Sequence, residues 1–380
     1  THSPRQVETS DSRVIWRTRM ASWKIGDQVV GTDAPTYFIA DISANHDGDL
    51  GRARSLIELA KEAGADAAKF QNFRAQHIVS AYGFDNMGGQ QGHQASWKKS
   101  VVQVYEEASL PWEWTQDLKS HCDNVGIEFM STPYDLEAVD MLDPMLSAYK
   151  IGSGDITWSH IIKHISDKGK PVLLAAGAST LADVERAVSI LRSGGNDFAV
   201  MQCNTNYTGS PENFAHIHLN VLKSFSEQFP DAVLGLSDHT PGHATVLGAV
   251  TLGARIVEKH FTDDTRREGP DHPFSMSPDS WAEMVLRTRE LELALGQSVK
   301  VIAGNERETL IVQRRCLRAA RELSVGELLT RDAIVALRPA PEDSIPPHRL
   351  DDVLGLTLSK RIEEGEHLAW DKLVKDGGSD

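Results

Sequence analysis

Cysteine is scarce: Cys122, Cys203 and Cys316 are the only three in 380 residues, dispersed without the spacing of a metal knuckle or a disulfide framework. A reducing compartment, the cytoplasm, is the expected location. No apolar run approaches the length of a membrane span, and the first residues lack a signal peptide's apolar stretch, so no membrane role is expected. Basic residues are in the minority, with 39 Lys and Arg against 54 Asp and Glu and a formal net charge of −15. That balance argues against a general nucleic-acid surface, which needs clustered cations. Any anionic substrate must be held by a local positive site.

Against this background eight short apolar runs recur: YFIADI (37–42), AAKFQN (67–72), IEFMST (127–132), AYKIGS (148–153), PVLLAAG (171–177), FAVMQCN (198–204), VLGLSDH (233–239) and ARIVEKH (254–260). Their interiors are rich in Val, Ile, Leu and Ala, and almost every one ends in a cation, an acid, a histidine or a small polar residue. Eight buried strands with functional groups at one end describe an α/β chain folded as a (β/α)8 TIM barrel, whose active site lies at the C-terminal face of its strands. The intervening segments carry helical patterns. In 51–65 the stripe is Ala53, Leu56, Ile57, Ala60 and Ala63, stopped by Gly64; in 181–195 it is Leu181, Val184, Ala187, Val188 and Leu191. Residues 277–296 close the series between the N-cap Ser277 and Gly296. A doubly wound open sheet also alternates strand and helix, so the reading rests partly on the count of eight.

The chain is long for one core, and four segments are expected. Residues 1–30 form an N-terminal extension, in which WRTRM and ASWKIG add a short strand or cover and Met20 is a candidate natural start. The barrel occupies 31–297, a polar linker 298–312, and a small second domain 313–376. Two phrases in that last segment, ELSVGELLTRDAI and RIEEGEHLAWDKL, each place a Gly-Glu turn before an apolar pair, as related turns of one small domain do.

The chemistry starts with His239 and His260, at the ends of the seventh and eighth runs. Neighbouring barrel strands bring such residues together, so the two imidazoles can share a divalent metal with positions left open for substrate oxygen. The plainer alternative is that each satisfies a buried hydrogen bond. Lys69 and Lys150 lie within runs that otherwise read as buried, where an ammonium needs an anion; phosphate is one partner and a barrel carboxylate another. A Schiff-base role for one lysine is a further alternative. Ser131, Thr132, Ser153, Ser179, Thr180, Asn204, Thr205 and Ser237 are nearby donors, and Ser179 and Thr180 open a helix whose free amides favour an anion. Asp41 and Asp155 are the candidate acid/base groups. Near a metal and two lysines each is expected to stay ionised and to act on a water or a sugar hydroxyl, or else to hold the lysines in place. The loop DDTRREGPDH (263–272) sets Arg266, Arg267, Asp271 and His272 over the barrel mouth.

The phrases ADISANHDGD, AGADAAKFQ, STPYD, YKIGSGDI, LGLSDHTPG, VEKHFT and REGPDH, in this order, resemble the sialic acid synthase family, which includes N-acetylneuraminate, legionaminate and pseudaminate synthases. The likeness covers most of 36–373, since the tail from Arg314 resembles that family's C-terminal antifreeze-like domain of SAF, β-clip type. It implies a transferase that condenses phosphoenolpyruvate with the open-chain aldehyde of N-acetylmannosamine or a related N-acylated amino sugar, giving a nine-carbon 2-keto acid and phosphate. The metal is then Mn2+, with Mg2+ or Co2+ as alternatives, on His239 and His260. By the same resemblance Lys69, Lys150, Thr132, Ser153, Ser179, Thr205 and Ser237 contact phosphoenolpyruvate, and Gln71, Tyr207, Asp155 and Asp271 contact the sugar. It further implies a domain-swapped homodimer in which Arg315, or its neighbour Arg314, reaches the partner's substrate. The family usually has Glu at the positions of Asp41 and Asp155, and often His at that of Gln202. A diacetamido hexose in place of the mannosamine, a metal-dependent aldolase or hydrolase, and a non-catalytic sugar-binding protein are the alternatives.

Overall fold

The computed structural model describes residues 21–374, so Met20 and the WRTRM phrase lie outside the described residues. The chain divides into two compact units, 1–296 and 297–380.

In the first unit a hairpin, β1 (Ser22–Ile25) and β2 (Gln28–Gly31), precedes eight parallel strands. These are β3 (Tyr37–Asp41), β4 (Ala67–Asn72), β5 (Glu128–Pro133), β6 (Tyr149–Ile151), β7 (Val172–Ala175), β8 (Phe198–Cys203), β9 (Val233–Asp238) and β10 (Ile256–His260). Each falls on one of the eight apolar runs. The ladder order is β5-β4-β3-β10-β9-β8-β7-β6, and β5 packs beside β6 to close the ring. The barrel reading therefore holds, and the open-sheet alternative falls away.

Two apolar clusters follow from the pleat, because alternate residues of each strand point to opposite sides. Phe38, Ala40, Ala68, Phe70, Phe129, Leu174 and Val257 face outward to the helices. Ile39, Ala67, Met130, Leu173, Met201 and Ile256 fill the lumen together with Trp23, Ile25 and Val30 of the hairpin. The hairpin thus closes the lumen with side chains, leaving the other end for polar groups.

The helical stripes are buried with one exception. Leu50–Glu62 buries Ala53, Leu56, Ile57 and Ala60 and stops before Gly64, whose φ of 92° suits glycine. Leu181–Gly194 buries Val184, Ala187, Val188 and Leu191, while Leu181 is exposed because it occupies the first turn, ahead of the strip that meets the sheet. Pro278–Leu295 is capped by Ser277 and sets the fully buried Trp281 edge-on to Phe261, with ring centroids 5.6 Å apart.

The second unit begins with the stretch expected to be linker, which is largely exposed and carries a short helix. Glu306 folds back onto the amide of Ala303, and a helix, Arg307–Gln313, follows. Beyond it come β11 (Cys316–Ala319), β12 (Ile334–Leu337), β13 (Thr357–Leu358) and β14 (Leu373–Val374) around a core of Leu317, Leu323, Leu329, Ile345, Ile362 and Leu368. The two similar phrases fold alike. Glu327 accepts the amide of Ser324 at 2.8 Å, Glu366 that of Glu363 at 2.9 Å, and Leu323 and Ile362 bridge the two turns.

Truncating Trp281 to Ala should cost the barrel unit about 3–5 kcal/mol, as loss of a fully buried aromatic does. Urea unfolding followed by far-UV circular dichroism measures it; a loss under about 1 kcal/mol would show that the final helix does not carry the packing assigned to it.

Candidate active site

A cavity of about 380 Å³ opens at the C-terminal ends of the barrel strands. Its wall includes Asp41, Lys69, Gln71, Thr132, Lys150, Ser153, Asp155, Tyr207, Ser237, His239, His260 and Asp271, so twelve of the residues singled out from the sequence meet in one place. Ser179 and Thr205 do not line it. The Ser179 hydroxyl donates to the Ala176 carbonyl, and Thr180 and Asp183 form a capping box in which each side chain accepts the other's backbone amide. Arg315 lies in the second unit, donating to the Ala336 carbonyl at 2.8 Å.

Both lysines are buried and both are paired. Lys69 Nζ lies 2.7 Å from Asp41 Oδ2 and 3.3 Å from Thr132 Oγ1, and Gln71 Nε2 donates to the same Asp41 oxygen at 3.2 Å. Burial pulls the Lys69 ammonium down, but Asp41 and Glu258 outweigh it and the group stays above the ordinary lysine range. Lys150 Nζ lies 2.7 Å from Glu258 Oε1, which also accepts from Ser237 Oγ at 3.2 Å. Burial alone raises a carboxyl, yet Lys150 and Lys69 hold Glu258 down at about 2.

Glu258 was missed from the sequence, although a signal for it existed. On a strand whose last residue, His260, faces the lumen, the residue two earlier faces it as well. Two oxygens of these pairs remain open: Asp41 Oδ1 and Glu258 Oε2 are buried and have no partner among the described residues.

His239 and His260 stand with ring centroids 5.4 Å apart. His239 Nδ1 meets the Asn204 carbonyl at 2.9 Å, which makes it the donor and leaves Nε2 with a free lone pair. Burial, then the neighbouring His260, pushes His239 down to about 3, so it is neutral near pH 7. His260 Nε2 is 3.6 Å from Asp41 Oδ2, and its Nδ1 has no hydrogen bond. Tyr207 and Phe274 wedge the pair, with centroids 4.3 Å from His239 and 4.8 Å from His260 respectively.

The donor set fits a divalent cation. The cavity wall carries two lysines against the carboxylates Asp41, Asp155, Glu258 and Asp271, an excess of negative charge that an anionic substrate has to meet. Imidazole nitrogens of His239 and His260 and a carboxylate oxygen of Asp41 without a partner among the described residues stand beside it. Among the described residues no three His, Cys, Asp or Glu side chains form a complete cage, so substrate or water oxygens would have to finish the shell.

Asp155 forms no ion pair with a lysine among the described residues, and burial raises its carboxyl from 3.8 to about 6. Asp271 is held by Ser43, whose left-handed backbone (φ 48°) aims its hydroxyl at Asp271 Oδ2, and by the Ala44 amide at 3.2 Å. Gln202 turns from the cavity and donates to the Ile217 carbonyl at 2.8 Å. The outer wall comes from the excursion after β4, where Phe73, Ile78, Trp97, Val104 and Tyr105 line the cavity. None of these was singled out, because the stretch lacks the apolar periodicity of the barrel helices. The capping box at Ser100 and Gln103 was its one legible signal.

The NeuB family model matches residues 56–300 and the SAF domain model residues 314–374. N,N'-diacetyllegionaminic acid synthase of Campylobacter jejuni is 32% identical over 335 residues, 87% of this chain and 98% of its own. N-acetylneuraminate-9-phosphate synthase of Homo sapiens is 28% identical across 92% of this chain and 95% of its own. Among solved structures, the N-acetylneuraminic acid synthetase of Leptospira borgpetersenii, in complex with citrate, aligns with a TM-score of 0.66 and 27% identity, covering 77% of this chain and 96% of that one.

The raised Asp155 carboxyl has a stability consequence. Between 3.8 and about 6 the folded chain holds a proton that the unfolded chain has lost, so its contribution declines as pH rises through that window. Asp155→Asn, which stays neutral, should raise the melting temperature above pH 6 and leave it unchanged below pH 3.8. An equal shift at both pH values would show that the carboxyl does not titrate in this way.

Proposed function

Because this chain belongs to the NeuB family, we propose that it is a nonulosonic acid synthase, a C–C bond-forming transferase that joins phosphoenolpyruvate to the open-chain aldehyde of N-acetylmannosamine or a related N-acylated amino sugar. The observation that supports this reading most is the convergence of two buried lysines and two close imidazoles in one cavity. An aldolase needs no site for a second, phosphorylated substrate, and a binding protein has no use for buried ammonium groups.

Lys69 and Lys150, with Thr132, Ser153 and Ser237, hold the phosphate and carboxylate of phosphoenolpyruvate in this reading. Ser153 is preset by the Gly177 amide, which donates to its Oγ at 2.9 Å. A divalent cation, Mn2+ by the resemblance, would be held by His239 and His260 and supplies, when bound, Lewis-acid polarisation of the aldehyde. Carbon 3 of phosphoenolpyruvate then attacks the aldehyde carbon, water adds at carbon 2, and phosphate leaves by C–O cleavage. Asp41, with one oxygen on Lys69 and the other unpartnered, accepts the proton of that water. Gln71, Tyr207, Asp155 and Asp271 surround the sugar. A homodimer in which Arg315 serves the partner's site belongs to the same proposal, as does a cytoplasmic location. No helix among the described residues is long and apolar enough to cross a membrane.

A diacetamido hexose is the second reading for the acceptor. The apolar wall from Phe73 to Tyr105 favours it, since acyl methyl groups lose water there without losing hydrogen bonds.

Phosphate release from phosphoenolpyruvate with Mn2+ and either N-acetylmannosamine or a 2,4-diacetamido hexose tests the proposal. Release should require one sugar and stop with chelator; sugar-independent release, or full activity without metal, would overturn it. Lys150→Met should raise the KM for phosphoenolpyruvate about tenfold or more, as loss of a charge-assisted contact does, and change that for the sugar much less. Equal effects on both would make the lysine structural.

A further inference from the structure

Behind the imidazole pair, on the face of the sheet turned away from the cavity, lies a second buried ion pair. Asp238 and Lys259 are direct partners across the β9–β10 ladder and are 2% and 1% exposed. Neither lines the cavity. Asp238 Oδ2 receives the Lys259 ammonium together with the hydroxyls of Thr240 and Thr245, both at 2.8 Å. Lys259 Nζ also donates to the Thr240 carbonyl at 2.6 Å. Unlike the carboxylates that face the lumen, Asp238 leaves no buried oxygen without a partner.

Burying such a pair seldom adds stability over an apolar pair of the same volume, so its placement calls for another explanation. The sequence neighbours supply one. Asp238 immediately precedes His239, and Lys259 immediately precedes His260. The ladder of β9 ends at Asp238, so His239 lies just beyond the last strand residue. Residues on both sides of it, Asp238 and Thr240, are tied to the one ammonium of Lys259 on β10. His239 is thereby bracketed against the strand that carries His260.

We propose that Asp238 and Lys259 are positioning residues that hold the His239 and His260 imidazoles at metal-sharing distance, through Thr240 on one side and the β10 ladder on the other. The inference rests on the metal reading of that pair, and the test separates the two.

The experiment is titration of the purified full chain with Mn2+, reading free ion by electron paramagnetic resonance, for the parent and for Asp238→Asn combined with Lys259→Met. The double variant removes both charges and keeps an oxygen for the threonines. It should melt within a few degrees of the parent, yet bind Mn2+ about 10- to 100-fold more weakly, as loss of groups that orient metal-binding histidines does. A parent that binds no Mn2+ would sink the metal reading and the inference with it. A parent that binds, with a double variant of equal affinity, would overturn the inference alone. Should the double variant not fold, Thr245→Val, which removes a single hydrogen bond to Asp238, is expected to weaken Mn2+ by about threefold; unchanged affinity there overturns the positioning role.

Discussion

An ammonium group cannot enter a strand-lined lumen without bringing a counter-charge, and the architecture of this barrel's working end depends on that constraint. The two lysines meet it differently. Lys69 and Asp41 are register partners on adjacent strands, so their pair runs along the wall. Lys150 on β6 and Glu258 on β10 stand four strands apart in the ring, so theirs spans the lumen. The hairpin residues Trp23, Ile25 and Val30, with Met130, Leu173 and Met201, pack the lumen with apolar side chains. That packing keeps water from the floor and strengthens the fields of the groups above it.

The inner and outer faces of the same strands are finished to different standards. On the opposite face, Asp238 accepts from Lys259, Thr240 and Thr245, and Lys259 also donates to the Thr240 carbonyl. Facing the lumen, Asp41 Oδ1, Glu258 Oε2 and His260 Nδ1 are buried without partners among the described residues. Groups left in that condition are available to ligands without first breaking a bond within the protein.

Much of this was readable in the residues, and what was not has identifiable physical reasons. All eight barrel strands lie in the eight apolar runs, because strands buried on both sides read as continuous apolar segments. Twelve site residues share the cavity because strand ends in a barrel converge regardless of sequence separation. Glu258 escaped because attention to strand ends passes over a residue two positions in, although alternation marks it as lumen-facing. Ser43 owes its role to a left-handed backbone at a non-glycine residue, and no sequence pattern announces that. The 73–108 excursion builds one wall from pieces too short to show a period. After Ser179 the carboxylate of Asp183 takes the Thr180 amide, and within 298–312 Glu306 precedes a short helix without buried residues.

The short carboxylates bear on which acceptor the cavity suits. With Asp at position 41, where the family resemblance implies Glu, the carboxylate is drawn back by roughly 1.5 Å, the length of one C–C bond. Asp41 still reaches Lys69 at 2.7 Å, so the loss falls on the lumen side and not on the pairing. Asp155 shows the same shortening, and its carboxyl is raised to about 6 with no cation beside it, as expected of a group withdrawn into its own wall. The cavity wall carries these two acids together with the apolar side chains of Ile78, Trp97 and Val104. A sugar whose extra bulk is acyl and methyl meets that wall at little desolvation cost, whereas an added hydroxyl loses water without a partner. On the proposed function, this wall is the physical argument for the diacetamido hexose as the second reading of the acceptor.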